Sequence, residues 1–191
     1  MLKPMMISAA LALALVAGDA VAQSSDAAST SSASSAASKT GGDAMFVKKA
    51  SAAGAAEVAL GKLGQSQGQS DQVKQFGAQM VKDHTSANDE LSSIASEKGL
   101  TVATDPSAKD AAAAKLIGAK QGSAFDTAFS KKMLADHQQA VALFTKEADS
   151  GRDSDLKAFA AKTLPTLKHH LEMAQSLPRG SSDKTTPDTA K

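Results

Sequence analysis

The chain of 191 residues carries 21 Lys and Arg against 20 Asp and Glu, and the span 43–177 holds 16 of each sign, so no basic stripe is present to bind nucleic acid. Its six Phe, the only aromatic residues, fall at helix-face spacing instead of between cations. With no cysteine, disulfides, thiolate metal ligands and a lipidated cysteine anchor are all excluded.

The N-terminus reads as a secretory signal peptide over residues 1–22. Lys3 supplies positive charge, Ile7 to Ala17 an apolar run of 11 residues, and Ala20-Val21-Ala22 a small-x-small cleavage site before Gln23. That run is shorter than the roughly 20 residues of a membrane-spanning helix, and nothing later approaches it, so no membrane span is expected. The implied location is periplasmic or secreted. In residues 23–42, 17 of 20 positions are Ser, Ala, Thr or Gly. Such a segment buries too little to offset its ordering entropy and predicts a disordered linker. The tail 178–191 is predicted disordered for the same reason, which leaves 43–177 as one domain.

Within that domain the sequence repeats. At an offset of 83, residues 43–81 recur as 126–164 without a gap, with Asp43 on Asp126, Phe46 on Phe129, Lys48-Lys49 on Lys131-Lys132, Gly68 on Gly151 and Phe76 on Phe159. Each copy reads as a helical hairpin. The first long helix is predicted from an Asp43 cap to Gln65, the second from Ser70 to a stop at Gly99, the third from about Phe125 to Gly151, and the fourth from an Asp153 or Ser154 cap to Leu177. Residues 99–122 are too long for a hairpin turn. Asp105-Pro106 predicts a short helix reaching Gly118, inside a crossover that runs the length of the molecule and sets the first and third long helices parallel. The predicted fold is all-α, a ferritin-like up-down four-helix bundle of two repeated hairpins. Pro165 lies inside the fourth long helix and predicts a kink, read either as a curve around the core or as a device that aims His170.

Each long helix carries one ionisable residue on its apolar stripe: Glu57, His84, His137 and His170. Setting repeat counterparts level places His84 and His137 roughly 3 Å apart along the axis and Glu57 and His170 roughly 12 Å apart. Because side chains lean toward their own helix N-terminus, the four groups come closer than their backbones and suggest one polar layer centred on His84 and His137. Asp83 and Asp136 each precede a histidine, but adjacent helical residues point about 100° apart, which turns these aspartates toward solvent or a lysine. His169 is assigned to the surface on the same ground. Three imidazoles and a carboxylate suit a divalent transition metal such as zinc, copper or iron. The alternative is a layer of neutral histidines hydrogen-bonded within the core. Di-iron chemistry needs more carboxylate: Val81 and Leu167 stand three residues before His84 and His170, and Ala140 is the repeat counterpart of Glu57. No nucleophile triad, phosphate loop or HExxH occurs, so no catalytic residue is assigned.

The stretches FVKKASAAGAAEVALGKLG, VKQFGAQMVKDHTSANDEL, FDTAFSKKMLADHQQAVALF and LKAFAAKTLPTLKHHLEMA resemble the exported ferritin-like proteins grouped as domain-of-unknown-function family 4142 and labelled predicted outer-membrane proteins. The resemblance covers about 43–177. It implies a ferritin-like bundle and an exported location, and it places the family's helix 1 Glu, two DH pairs and the His after Leu-Pro on Glu57, His84, His137 and His170. Phe129 stands where the family often has Tyr. An outer-membrane barrel does not fit, because no segment alternates like a strand. Two function classes follow: a non-catalytic exported bundle acting on an envelope component or protein partner, with a stress-related role, and a metal-binding redox or storage protein. The oligomeric state is not set by the sequence.

Overall fold

The structure, a computed structural model, describes residues 27–180, with side chains from residue 41 onward. The expected signal peptide over 1–22 lies outside these residues, as does most of the tail. The described chain is all-helical: α1 Ala27–Gln67, α2 Asp71–Glu97, α3 Ala108–Gly118, α4 Gly122–Ser150 and α5 Ser154–Ser176. No strand occurs among the described residues, and none of their helices is long and apolar enough to cross a membrane.

Most boundaries fall where the turn chemistry places them. Ser70 caps α2 by accepting from the Val73 N–H, and Asp153 caps α5 by accepting from the Asp155 and Leu156 N–H groups. At the end of α2, Gly99 takes φ 64° and the Leu100 N–H returns to the Ala95 carbonyl oxygen, a left-handed stop that favours glycine. Two starts differ from expectation. Ser107, not Asp105, caps α3, because its hydroxyl accepts from the Asp110 N–H. The first helix begins at Ala27 and not at Asp43, so residues 27–42, expected as part of a disordered linker, continue the helix. Five of these sixteen residues are Ala, and burial is not needed for the backbone to bond to itself, so the segment permits a helix although its Ser, Thr and Gly do not favour one.

Asp43 is a tertiary clamp, not a cap. Its carboxylate is buried and accepts hydrogen bonds from the Arg152 and Asp153 N–H groups, at 3.1 and 3.0 Å, in the turn between α4 and α5. Its repeat counterpart Asp126, one turn into α4, does the same at the other end. It accepts from the Gln69 and Ser70 N–H groups, both at 2.8 Å, in the turn between α1 and α2. Hence α4 starts where α1 ends, and the two helices run antiparallel. This corrects the parallel arrangement predicted for them: a crossover that spans the molecule returns α4 to the end from which α2 departed.

The four long helices pack α1 on α2 and α4, and α5 on α4 and α2. Backbones of α1 and α2 touch: a Cβ at Gly77 would lie 2.6 Å from the Gly61 carbonyl oxygen. The crossover is tied to α1 by the Ala103 N–H donating to Ser51 Oγ at 2.8 Å, and Ile117 of α3 enters the core. That core is two clusters. One gathers Phe46, Leu91, Phe144 and Phe159 near the α4–α5 turn; the other gathers Leu60, Phe76, Phe125 and Phe129 near the α1–α2 turn. Edge-on ring pairs Phe46–Phe159 and Phe76–Phe129 are counterparts under the repeat, so the two ends are built alike. One difference is Glu147, buried beside Asp43, where the other copy has Gly64. Burial first, and then the Asp43 charge, push its carboxyl up to about 7.

Asp126→Ala leaves two turn N–H groups without their charged acceptor and is expected to cost about 3 kcal/mol in urea unfolding; a loss below about 0.5 kcal/mol would contradict the clamp. Because Glu147 holds its proton more tightly folded than unfolded, it favours the fold most at low pH, and that contribution fades as pH rises from 4.5 to about 7. Glu147→Gln should therefore make the melting temperature less sensitive to pH between 5 and 8 than in the parent, measured by thermal scans.

Candidate metal centre

The two apolar clusters are separated by a polar layer to which all four long helices contribute. His84 comes from α2, His137 from α4 and His170 from α5, and each is buried. Their ring centroids form a near-equilateral triangle with sides of 5.7, 5.4 and 5.4 Å. One ring nitrogen of each lies within 4.8 Å of the other two.

Hydrogen bonds on the far side of two rings fix their tautomers. His137 Nδ1–H donates to the Met133 carbonyl oxygen at 2.9 Å, and His170 Nε2–H donates to Asp83 Oδ2 at 2.8 Å. Both acceptors lack a proton to give, so each ring must place its hydrogen there and turn a lone pair inward. The inward nitrogens, His137 Nε2 and His170 Nδ1, have no partner, and neither has His84 Nε2. Neutral imidazoles with a carbonyl or carboxylate behind them and bare lone pairs in front make the arrangement found around protein-bound metals.

The electrostatics keep these lone pairs free. Burial, reinforced by the charges that His137 and His170 would carry, lowers His84 to about 3. Burial lowers His137 to about 4 against the pull of the Met133 carbonyl, and lowers His170 against the pull of Asp83. Burial would raise Asp83, but hydrogen bonds from Gln79 and His170 hold it below its ordinary value. At neutral pH the triad is uncharged.

Glu57 sits at the same level but outside this group of donors. Its Oε1 lies 4.0 Å from His137 Nδ1, the nitrogen already turned to Met133, and its Oε2 is buried without a partner. Burial, then the nearby Asp136 carboxylate, raises it well above the usual carboxylate range, with Lys132 opposing. The structure forms the single polar layer that the side-chain lean suggested: antiparallel α1 and α4 bring Glu57 beside His137, and His170 joins the two other histidines. Pro165 lies exposed within α5, and His170 is held by its hydrogen bond to Asp83.

Asp83 is the residue that sequence reasoning missed. The 100° offset from His84 turns it away from the molecular axis, as expected, but the neighbour on that side is α5, and so it meets His170. Asp136 behaves as predicted and pairs with Lys132 at 2.7 Å, which also reaches Asp110 of α3. His169 is on the surface. The recurrence of Asp-His in both copies was the available signal for Asp83, yet only one of the two aspartates orients a histidine.

The model of the family described as Domain of unknown function (DUF4142) matches residues 27–177. No curated protein and no solved structure gives a match.

Because His84 and His137 bind protons less readily folded than unfolded, the unfolded chain takes up protons below pH 6.5 that the fold refuses. In chelator-treated protein, stability should fall as pH drops from about 6.5 toward about 4. Replacing both residues by Leu should flatten that fall, measured as urea midpoints at pH 7 and 4.5. An unchanged acid slope in the double variant would contradict neutral, buried imidazoles.

Proposed function

The chain belongs to the DUF4142 family, a domain of unknown function, and we propose that it is an exported, ferritin-like bundle protein that holds one divalent transition-metal ion on His84, His137 and His170. The observation that carries this reading is the set of three buried histidines, with one ring nitrogen of each within 4.8 Å of the others and with an unpartnered nitrogen on each ring. The far-side hydrogen bonds turn the lone pairs of His137 and His170 inward, and with His84 in the matching tautomer a cation satisfies all three nitrogens at once. In a tetrahedral zinc site nitrogens lie about 3.4 Å apart, so closing the triad on an ion takes ring movements on the order of an ångström.

An all-nitrogen set suits zinc or copper better than the carboxylate-rich sites of di-iron proteins. Glu57 is the one carboxylate at this level, and it stands behind His137. With three protein ligands, a fourth position stays open to an outside ligand, as in sites where a metal does more than brace a fold. Export rests on the Lys3, apolar-run and Ala20-Val21-Ala22 pattern ahead of Gln23. The ferritin-like reading rests on the reversed second hairpin and its long crossover.

A second reading places an ordered water in the triad. There His84 Nε2–H would donate to the water, and the water would donate to His137 and His170, making the layer structural within a domain that binds an envelope component. The two readings separate by measurement. Protein taken from the exported fraction, beginning at Gln23, should carry zinc or copper near one equivalent. After chelation, adding the metal at a hundredfold excess over its dissociation constant should stabilise the fold by about 2.7 kcal/mol. His84→Ala, His137→Ala and His170→Ala should each abolish that gain, while His169→Ala retains it. If zinc, copper and iron all leave the melting temperature of the parent unchanged at neutral pH, the water reading holds.

A further inference from the structure

Beside the histidine layer, on the side of the α4–α5 turn, a cavity of about 380 Å³, partly open to solvent, lies between α1, α2, α4 and α5 with Asp110 of α3 at its edge. Gly54, Ala87, Ala140 and Leu167 line it. Under the repeat these four are the counterparts of His137, His170, Glu57 and His84. The pseudo-twofold that exchanges the ends of the molecule therefore carries the polar cluster onto the chamber. Each copy supplies two of these small or apolar residues opposite two polar ones of the other; the methyl groups of Ala87 and Ala140 stand where the other copy has His170 and Glu57, while the Asn88 side chain fills the place beside Gly54.

An unfilled apolar space of this size is costly in a packed core, since the lining atoms lose partners on one side. Binding pockets have this size and this character: apolar walls with a few convergent polar groups. Leu91, Phe144 and Phe159 supply the walls, with Phe144 and Phe159 tilted at 48° and 5.8 Å apart. At the inner end stand Glu57 and His84, both more than nine-tenths buried and each with a side-chain atom lacking a partner. Exposed Lys49 and Gln139 mark the outer rim between α1 and α4.

We propose that this chamber is a binding site for a small aromatic molecule bearing one hydroxyl or carbonyl group, its ring against Phe144 and Phe159 and its oxygen at Glu57. A cavity of about 150 Å³ already admits benzene when its walls are apolar, so one substituted ring fits here with room for a side group. Aromatic pairs prefer edge-on and offset contacts, and the tilted Phe144 and Phe159 rings offer both. The proposal does not rest on the metal reading, because the chamber's walls are complete without an ion.

The test uses p-cresol with the chelator-treated, full-length exported protein, so that failure to bind metal has no bearing on the result. Saturable binding is expected, with nuclear Overhauser contacts from the probe ring to Phe144 and Phe159. Ala87→Leu and Ala140→Leu, which fill the chamber from α2 and from α4, should each weaken binding at least tenfold while melting no lower than the parent. Absence of saturable binding up to the solubility of p-cresol overturns the proposal. So do contacts confined to surface residues, and so does affinity unchanged in a folded filling variant. The contacts in the parent protein decide the matter even if both variants fail to fold.

Discussion

Two buried aspartates, each seated on the other repeat's turn, set the geometry on which everything else in this molecule depends. Asp43 and Asp126 satisfy four backbone N–H groups that no helix could reach. In doing so they fix the start of each repeat against the middle of the other. A carboxylate accepting two backbone N–H groups is a directional contact, unlike apolar packing, and it leaves little freedom for α1 and α4 to slide. The antiparallel register that follows places Glu57 beside His137 and brings the three histidines into one layer.

That layer is costly to keep unless it has a use. Three neutral imidazoles and a carboxyl interrupt what would otherwise be a continuous core of Phe, Leu and Met, and four of their side-chain atoms lack partners. Buried polar atoms left without hydrogen bonds each cost stability, and the repeat shows that the fold tolerates apolar residues at the equivalent positions. Gly54, Ala87, Ala140 and Leu167 occupy them in the other half. The duplicated hairpins have diverged at the positions nearest the axis, each supplying two residues to the polar layer and two to the cavity beside it.

Support for the layer comes from outside it. Met133 and Asp83 hold the far nitrogens of His137 and His170, and Gln79 in turn holds Asp83 at 2.6 Å. Lys132 ties Asp136 and Asp110 together, so the short crossover helix α3 is fastened to α4 on the flank nearest Glu57. The orientation of each ring is thus decided by residues one step removed from the centre, which is how a site on helices gains angular precision.

Periodicity, caps and the 83-residue repeat determined the helical class, the C-terminal ends of all five helices to within two residues, and the identity of the four inward ionisable residues. These are properties of one helix face or one turn at a time, and local chemistry is enough to specify them. The antiparallel direction of α4 against α1 already follows from a crossover that runs the length of the molecule, so the parallel expectation drew the wrong topology from it; what only the Asp43 and Asp126 contacts decide is the register of the two helices. The role of Asp83 was misread, because it depends on which helix lies alongside: a residue about 100° from the core-facing stripe faces solvent or a neighbour according to packing alone. The extension of α1 back to Ala27 was hidden by composition, since Ser and Ala suit a tether as well as an exposed helix. The chamber, too, belongs to tertiary structure. A sequence shows small residues in each helix, but whether neighbours close over them or leave a space is settled only when four helices meet.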